Sequence, residues 1–517
     1  MLFDSTNMNM LFDELFEIDP DHPALNGSLT PPHNCSSIHN FSPGPTSLPS
    51  VVESIIRQRC FPSNRLGSMA LSHRSPEFGS ILSSAVSKLR RVMAIPDEYE
   101  VLFTQGGGHG QFAAIPLNLC SSVDCHATYV VSGTWSARAV DEAKKYCRPT
   151  VISSNQNNST GYNKYFPLQE MIDNHHPDSK FIYLCSNETV NGIELHRLPI
   201  IPSTMPPLVV DASSDFTTKP ISWRESNVGL LFACASKNVG HAGITVVIVR
   251  KDLISGDENR ANPMTPGFMD YKVNIAAKNV WNTIPTFNVD VVGIMMEWML
   301  DVGGVNVLEE RSVQKANLVY GVIDESNGFY KTLLPKESGY RSRMNVPFCV
   351  ANEMINSEEL TNLFLVECWK RGIVGLKTVT PFKQGKYLRV SLYHGVSMED
   401  VLILTLFMKE FAAKYGGVES VSIKNIEEEM KELTVVEEEE HVSELKEVVS
   451  LAVSPFSSIV DLSRLSSSPT NVIDVTSFTL PKDFKVRRYA KITNDMFAPP
   501  ISTMHHHGVA ESCPLSR

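Results

Sequence analysis

Apolar residues in this chain follow two rhythms. From about residue 97, short β-branched or aromatic runs alternate with stretches whose apolar positions recur every three or four residues. The first pattern predicts strands buried on both faces, and the second predicts helices. Strands are expected at 100–105, 127–132, 181–185, 208–211, 229–235 and 244–250, and helices at 111–119 and 137–146. Residues Gly106–Gly110 read as a turn between the first strand and its helix. Such alternation predicts the α/β class with a large, mostly parallel sheet. Helices at 289–302 and 309–323 follow. Strand-like runs at 344–350 and 387–393, with helices at 357–371 and 397–415, then suggest a smaller α+β domain. The expected division is a large domain at 38–310 and a small one at 311–416.

Both ends look like extensions. Residues 1–37 carry Leu11, Phe12, Leu15 and Phe16 before a run of prolines, and read as a disordered tail or a partner-binding segment. In 417–517, Ile423, Ile426, Met430 and Leu433 repeat at helical spacing with Glu-rich outer faces, and a Ser/Pro-rich stretch follows. These acidic helices read as a solvated tail, with an unidentified partner as the alternative.

Charge narrows the function. The net charge is −11, but the acids gather at the ends: six in residues 1–21 without Lys or Arg, and eleven Glu against three Lys in 417–447. The body between them is near neutral, which argues against nucleic acid, whose binders present a basic face. Lys482, Lys485, Arg487, Arg488, Lys491 and the run His505–His507 read as surface patches rather than nucleic-acid or metal sites. Ten Cys without a C-x-x-C pair suggest reduced thiols and no zinc site. No apolar run reaches the ~18–20 residues that span a bilayer. The first basic residue is Arg57, so neither a secretory nor a mitochondrial leader is expected, and the cytoplasm is the default.

The candidate chemistry sits at the expected strand ends, where open parallel sheets bind ligands. Gly106-Gly107-Gly108-His109-Gly110 lies between strand and helix, a place suited to an anion, or simply to a tight turn. It is not the dinucleotide fingerprint, since position 111 is Gln. Lys237 follows a very apolar strand among small residues, where a desolvated amine can condense with an aldehyde; a snorkelling lysine is the plainer reading. Asp211 ends a buried strand 26 residues earlier and is either a helix cap or an acid for a buried cation. Pyridoxal phosphate needs this pair, a lysine for its aldehyde and an acid for its pyridine nitrogen. Trp135 supplies a ring for stacking and Thr189 a hydroxyl, though each also suits core or turn.

This order of glycine turn, aromatic, Thr, Asp and Lys resembles fold type I pyridoxal phosphate enzymes. The resemblance extends to the phosphoserine aminotransferase family over residues 38–415. It rests on Asn40-Phe41-Ser42-Pro43-Gly44-Pro45, Ser72-His73-Arg74-Ser75, Gln105–Phe112, Asn187-Glu188-Thr189, Lys237-Asn238-Val239-Gly240, Asn282–Phe287 and Arg341–Phe348. It implies transfer of the amino group of L-glutamate to 3-phosphohydroxypyruvate, giving O-phospho-L-serine and 2-oxoglutarate in serine biosynthesis. Small amino and keto acids are then the partners.

By the same resemblance, Lys237 joins the cofactor aldehyde, Asp211 meets its ring nitrogen, Trp135 stacks and Thr189 hydrogen-bonds it. Gly108 and His109 cradle its phosphate. Asn282 and Thr283 reach that phosphate from the other subunit of a homodimer. His73 and Arg74 help bind the distal end of the substrate, and Arg389 grips the α-carboxylate, as a planar fork can. Three departures stand out. Ser236 replaces a usual Gln before the lysine, still offering a donor to the phosphate. His241 replaces a small residue. After Gly375-Leu376-Lys377, the family's Gly-His-Arg is missing, with Lys383 or Lys386 as weak stand-ins. That loss motivates two alternatives, an aminotransferase of relaxed range and a weakly catalytic cofactor-binding scaffold acting through its tail.

Overall fold

The computed structural model describes residues 19, 21–32, 35, 37–153, 166–256, 261–351, 357–376, 378–381 and 386–416. The chain divides into two units, Met1–Glu428 and Glu429–Arg517, and all described residues belong to the first. The expected acidic helices, the basic cluster, the histidine run and the N-terminal Leu/Phe turn lie outside the described residues.

Seven strands form the main sheet: β1 (Tyr99–Thr104), β2 (His126–Val131), β3 (Arg148–Ser153), β4 (Ser179–Cys185), β5 (Leu208–Asp211), β6 (Val228–Cys234) and β7 (Thr245–Arg250). Their spatial order is β1-β7-β6-β5-β4-β2-β3. Every pairing is parallel except those of β7, which runs antiparallel to both neighbours. Thr245 therefore sits opposite both Thr104 and Cys234, beside the ends of β1 and β6. The central strands are unbroken apolar runs because both faces are buried.

Helices α1 (Ser50–Cys60), α2 (Pro76–Val92), α3 (Gly107–Leu119), α4 (Thr134–Ala143) and α5 (Thr286–Asp301) cover the sheet. One cluster packs α1, α2 and α5 on one face; another packs α3 and α4 on the other. Gly293 on α5 lets α2 approach, since a side chain there would meet the Ala85 methyl at 3.3 Å. The residues 106–110, expected as a turn, are mostly the first turn of α3. The strand ends at Thr104, and Gly106 at φ +99° and Gly107 at φ +63° turn the chain into α3, whose right-handed geometry begins at Gly108. Packing of Phe112–Leu117 against the sheet outweighs the low helix propensity of these glycines.

Beyond α5, helix α6 (Val305–Glu325) runs from the large cluster at Leu308 into a third cluster at Ala316–Ile323. The expected boundary at 310/311 falls inside this helix. The third cluster contains β8 (Tyr330–Thr332), β9 (Asn345–Val350) and β10 (Leu388–Ser391), an antiparallel sheet, with α7 (Ser357–Lys370) and α8 (Met398–Tyr415). His39–Asn40 pairs in parallel with Ile373–Val374, which draws Phe41 into this cluster. Residues 21–32, within the segment expected to be disordered, lie against α7: Trp369 Nε1 donates to the Thr30 carbonyl at 3.0 Å. Among the described residues, no single helix is long and apolar enough to cross a membrane.

Candidate active site

The carboxyl ends of the parallel strands converge on one place, and the residues just beyond them line it. After β2 the chain enters α4, whose first-turn N–H groups lack partners within the helix. The segment after β4 supplies the acceptors. Asn191 Oδ1 takes Thr134 N at 2.8 Å, and Glu188 takes Trp135 N at 2.7 Å and Ser136 N at 2.8 Å. Ser136 Oγ adds a third bond to Glu188 at 2.6 Å. Glu188 is wholly buried, and burial pushes its carboxyl up to about 7 against the pull of these donors. The arrangement fixes Trp135. Its Nε1 donates to Thr189 Oγ1 at 2.8 Å, Arg138 lies 4.8 Å over its ring, and the His109 ring stands edge-on at 5.8 Å.

Asp211, at the end of β5, accepts Ser213 N at 2.9 Å and the Tyr183 hydroxyl at 3.2 Å. Burial raises its carboxyl above the usual range. Ser213 also donates to Cys234 Sγ at 3.3 Å, and a side chain at Gly108 would come within 3.7 Å of that sulfur. Asp211 and the start of α3 are thus linked through Ser213 and Cys234.

Lys237 follows β6 by three residues. A methyl at Gly44 would stand 2.9 Å from Lys237 Cε and 3.0 Å from Cδ, so glycine there keeps the path of the lysine clear. The Lys237 Nζ is 5.7 Å from the Tyr393 ring centre. The neighbouring Ser236 carbonyl accepts Thr46 N at 3.3 Å.

Arg389 on β10 completes this group. One of its terminal nitrogens donates to the Thr189 carbonyl at 3.1 Å and to Thr189 Oγ1 at 3.4 Å. Its Nε is buried without a hydrogen-bond partner. Burial lowers its pKa, because the cation is only partly compensated. A buried guanidinium with an unused donor is costly unless a carboxylate meets it.

The structure brings Gly108, His109, Trp135, Thr189, Asp211, Ser236, Lys237 and Arg389 to this region. Asn282 and Thr283 lie exposed at its margin, where Asn282 Nδ2 donates to Gln105 Oε1 at 2.9 Å and Gln105 donates to the Thr283 carbonyl. His73 and Arg74 occupy the loop before α2. Arg74 is exposed, and His73 Nε2 is buried without a partner. Of the two lysines considered for the missing His-Arg pair, Lys386 bonds to Glu358 at 2.6 Å, and Lys383 lies outside the described residues. Arg343, from the 341–348 motif, is a framework residue held by Glu194 and Glu309, each at 2.8 Å. Sequence reading missed the work of Glu188, Asn191 and Tyr393. The quoted Asn187-Glu188-Thr189 run was the only signal for the first.

The Aminotransferase class-V family matches residues 38–404. The chain belongs to the class-V aminotransferases. The enzyme is 39% identical over 383 residues to phosphoserine aminotransferase 1, chloroplastic, of Arabidopsis thaliana, covering 73% of this chain and 83% of that protein. It is 38% identical over 382 residues to the phosphoserine aminotransferase of Laribacter hongkongensis, covering 74% of this chain and 100% of that one. A pyridoxal phosphate-bound phosphoserine aminotransferase from Trichomonas vaginalis superposes with a TM-score of 0.64 at 31% identity, over 72% of this chain and 100% of that one. The enzyme is a transaminase of fold type I, and its cofactor is pyridoxal phosphate. The donor set fits that group: a lysine with its path kept clear by Gly44, a buried acid, an indole held at two points and a glycine-rich helix start.

Proposed function

We propose that the enzyme moves the amino group of L-glutamate to 3-phosphohydroxypyruvate, giving O-phospho-L-serine and 2-oxoglutarate. The observation that carries the reading is the convergence of Lys237, Asp211, the Trp135–Thr189 pair and the underused Arg389 fork. The relaxed-range and scaffold alternatives are not favoured, because relatives from a plant, a nematode and bacteria bear the one name.

Pyridoxal phosphate, when bound, supplies an aldehyde to take the amino group and a ring to spread the electrons left at the substrate Cα. The protein does the rest. The first-turn N–H groups at Gly108 and His109 and the Ser236 hydroxyl would hold the phosphate, and Trp135 and Thr189 would hold the ring. Asp211 would meet the ring nitrogen and, as a carboxylate, favour its protonated form. Lys237 would bind the aldehyde and, once displaced by substrate, take the proton from Cα through Nζ. Arg389 holds the α-carboxylate, so that the breaking C–H bond stays aligned. The donor's keto acid leaves before the acceptor enters, in a ping-pong order.

A homodimer with shared sites is part of the proposal. Phe61, Leu66, Met69, Phe268 and Trp281 are large apolar side chains exposed on segments that meet one another: Thr286 Oγ1 donates to the Ser68 carbonyl, and Trp281 lies against Gly267. A patch of this kind is expected at an interface. Asn282, Thr283, His73 and Arg74 lie on or next to these segments, which supports their serving the partner's site.

Glutamate alone should abolish the absorbance of the lysine-bound aldehyde form of the purified enzyme, and 3-phosphohydroxypyruvate should restore it. Borohydride reduction and peptide mapping should put the cofactor label on Lys237. Normal turnover by Lys237→Ala, or a label elsewhere, would refute the assignment.

A further inference from the structure

One buried cation takes no part in the chemistry above. Lys315, on α6, is 4% exposed. Its Nζ donates to the carbonyls of Leu392, Tyr393 and Val396, each at 2.9 Å. An ammonium carries three donors and no acceptor, so three converging carbonyls are a complete match for its charged form. Burial nonetheless lowers its pKa to about 7. Asp400 on α8, itself bound to His39 at 2.7 Å, favours the charge, whereas Arg311 on α6 opposes it. His394, in the clamped turn, is held neutral by burial.

The clamped turn, 392–396, is the continuation of β10 just beyond Arg389. Its contacts lead into the site. The Tyr393 hydroxyl donates to the Pro43 carbonyl at 3.2 Å and accepts from Asn345 Nδ2 at 3.2 Å. Pro43 is next to Gly44, the residue that faces Lys237. His394 N donates to Asn238 Oδ1 at 3.1 Å, one residue beyond Lys237. One ammonium therefore ties α6 to a turn that touches the surroundings of both the carboxylate fork and the catalytic lysine.

We propose that Lys315 is a positioning residue, whose ammonium clamps the turn after Arg389 and thereby sets the seat of the substrate α-carboxylate and of Tyr393. The inference rests on the reading of Arg389 as the carboxylate grip. It assigns Lys315 no contact with substrate or cofactor.

The test uses holoenzyme carrying Lys315→Met, Lys315→Arg, or Arg389→Lys as reference. Glutamate and 3-phosphohydroxypyruvate both carry an α-carboxylate, so Lys315→Met should raise KM for both by about tenfold, with kcat kept within about threefold. Lys315→Arg restores the charge with a different fork and should recover most of the loss. A purely structural lysine would instead lower kcat and cofactor retention together with stability, and that outcome overturns the proposal. If Lys315→Met gives no soluble holoenzyme, Lys315→Arg decides: its imperfect fit should still raise both KM values above wild type. Unchanged KM values in the assayable Lys315 variants, alongside a clear rise in Arg389→Lys, overturn the clamp alone. An unchanged KM in Arg389→Lys overturns the carboxylate reading and the clamp with it.

Discussion

Arg389 offers a test in which function and stability move in opposite directions. Its guanidinium is buried, uses one terminal nitrogen on Thr189, and leaves Nε without a partner. On the proposed reading, a bidentate carboxylate bond would replace what burial removed. Each hydrogen bond to a charged group contributes about 1.5–3 kcal/mol. Arg389→Lys keeps a charge but loses the fork, so about one such bond goes and KM for glutamate should rise about 10- to 150-fold. Arg389→Met loses both, about 3–6 kcal/mol, and kcat/KM should fall by about two to four orders of magnitude. The same change deletes an incompletely paired buried cation, whose burial is unfavourable. Without substrate, Arg389→Met holoenzyme should therefore melt about 1–4 °C above wild type.

Ligand closes the comparison. An unreactive dicarboxylate at a hundred times its Kd should stabilise wild type by about 2.7 kcal/mol and leave Arg389→Met unmoved. Steady-state kinetics and calorimetric melting curves read both arms. A wild-type KM in Arg389→Lys, or an Arg389→Met protein that melts lower and still responds to the dicarboxylate, would refute the reasoning.

Four further outcomes are expected. Glu188→Gln puts an amide N–H where a carboxylate oxygen meets main-chain donors, so Trp135 should tilt, with a loss of about 10- to 100-fold in kcat/KM and a changed cofactor spectrum. The Glu188 carboxyl, raised from 4.5 to about 7 in the fold, binds its proton more tightly folded than unfolded. Its contribution to stability is thus present below pH 4.5 and lost as pH rises through about 7. Between those values wild type should lose about 3 kcal/mol more than Glu188→Gln, measured by denaturation at a series of pH values. Gly44→Ala places a methyl 2.9 Å from Lys237 Cε at a φ of +118°, and should lower cofactor retention on gel filtration at least as much as it lowers stability. Deleting 418–517 should leave kcat and KM unchanged within about twofold, since the family match ends at 404 and every proposed site residue precedes it.

The strands were readable where burial on both faces makes an apolar run continuous, as in Val228–Cys234. Arg148–Ser153 escaped because it forms the edge of the sheet, where polar and half-exposed positions interrupt the pattern. Lys237 and Asp211 were legible because a charge ending an apolar strand is conspicuous in one dimension. Glu188 was not. Its task comes from the placement of the segment after β4 over the start of α4, a contact between residues 52 and 53 positions apart. Lys315 was hidden for a similar reason, since its three acceptors lie 77 to 81 residues away. Such partners are set by tertiary packing, which local periodicity does not encode.

The two-residue ladder between His39–Asn40 and Ile373–Val374 has a mechanical meaning. It joins the stretch leading to Gly44 to the module that carries Arg389, while Thr46 N on the Ser236 carbonyl joins the far side of Gly44 to the residue before the lysine. Gly44 therefore sits between two anchors, one on the small-sheet module and one beside Lys237. A chain cut between residues 40 and 41 would keep every proposed site residue and release only the first of those anchors.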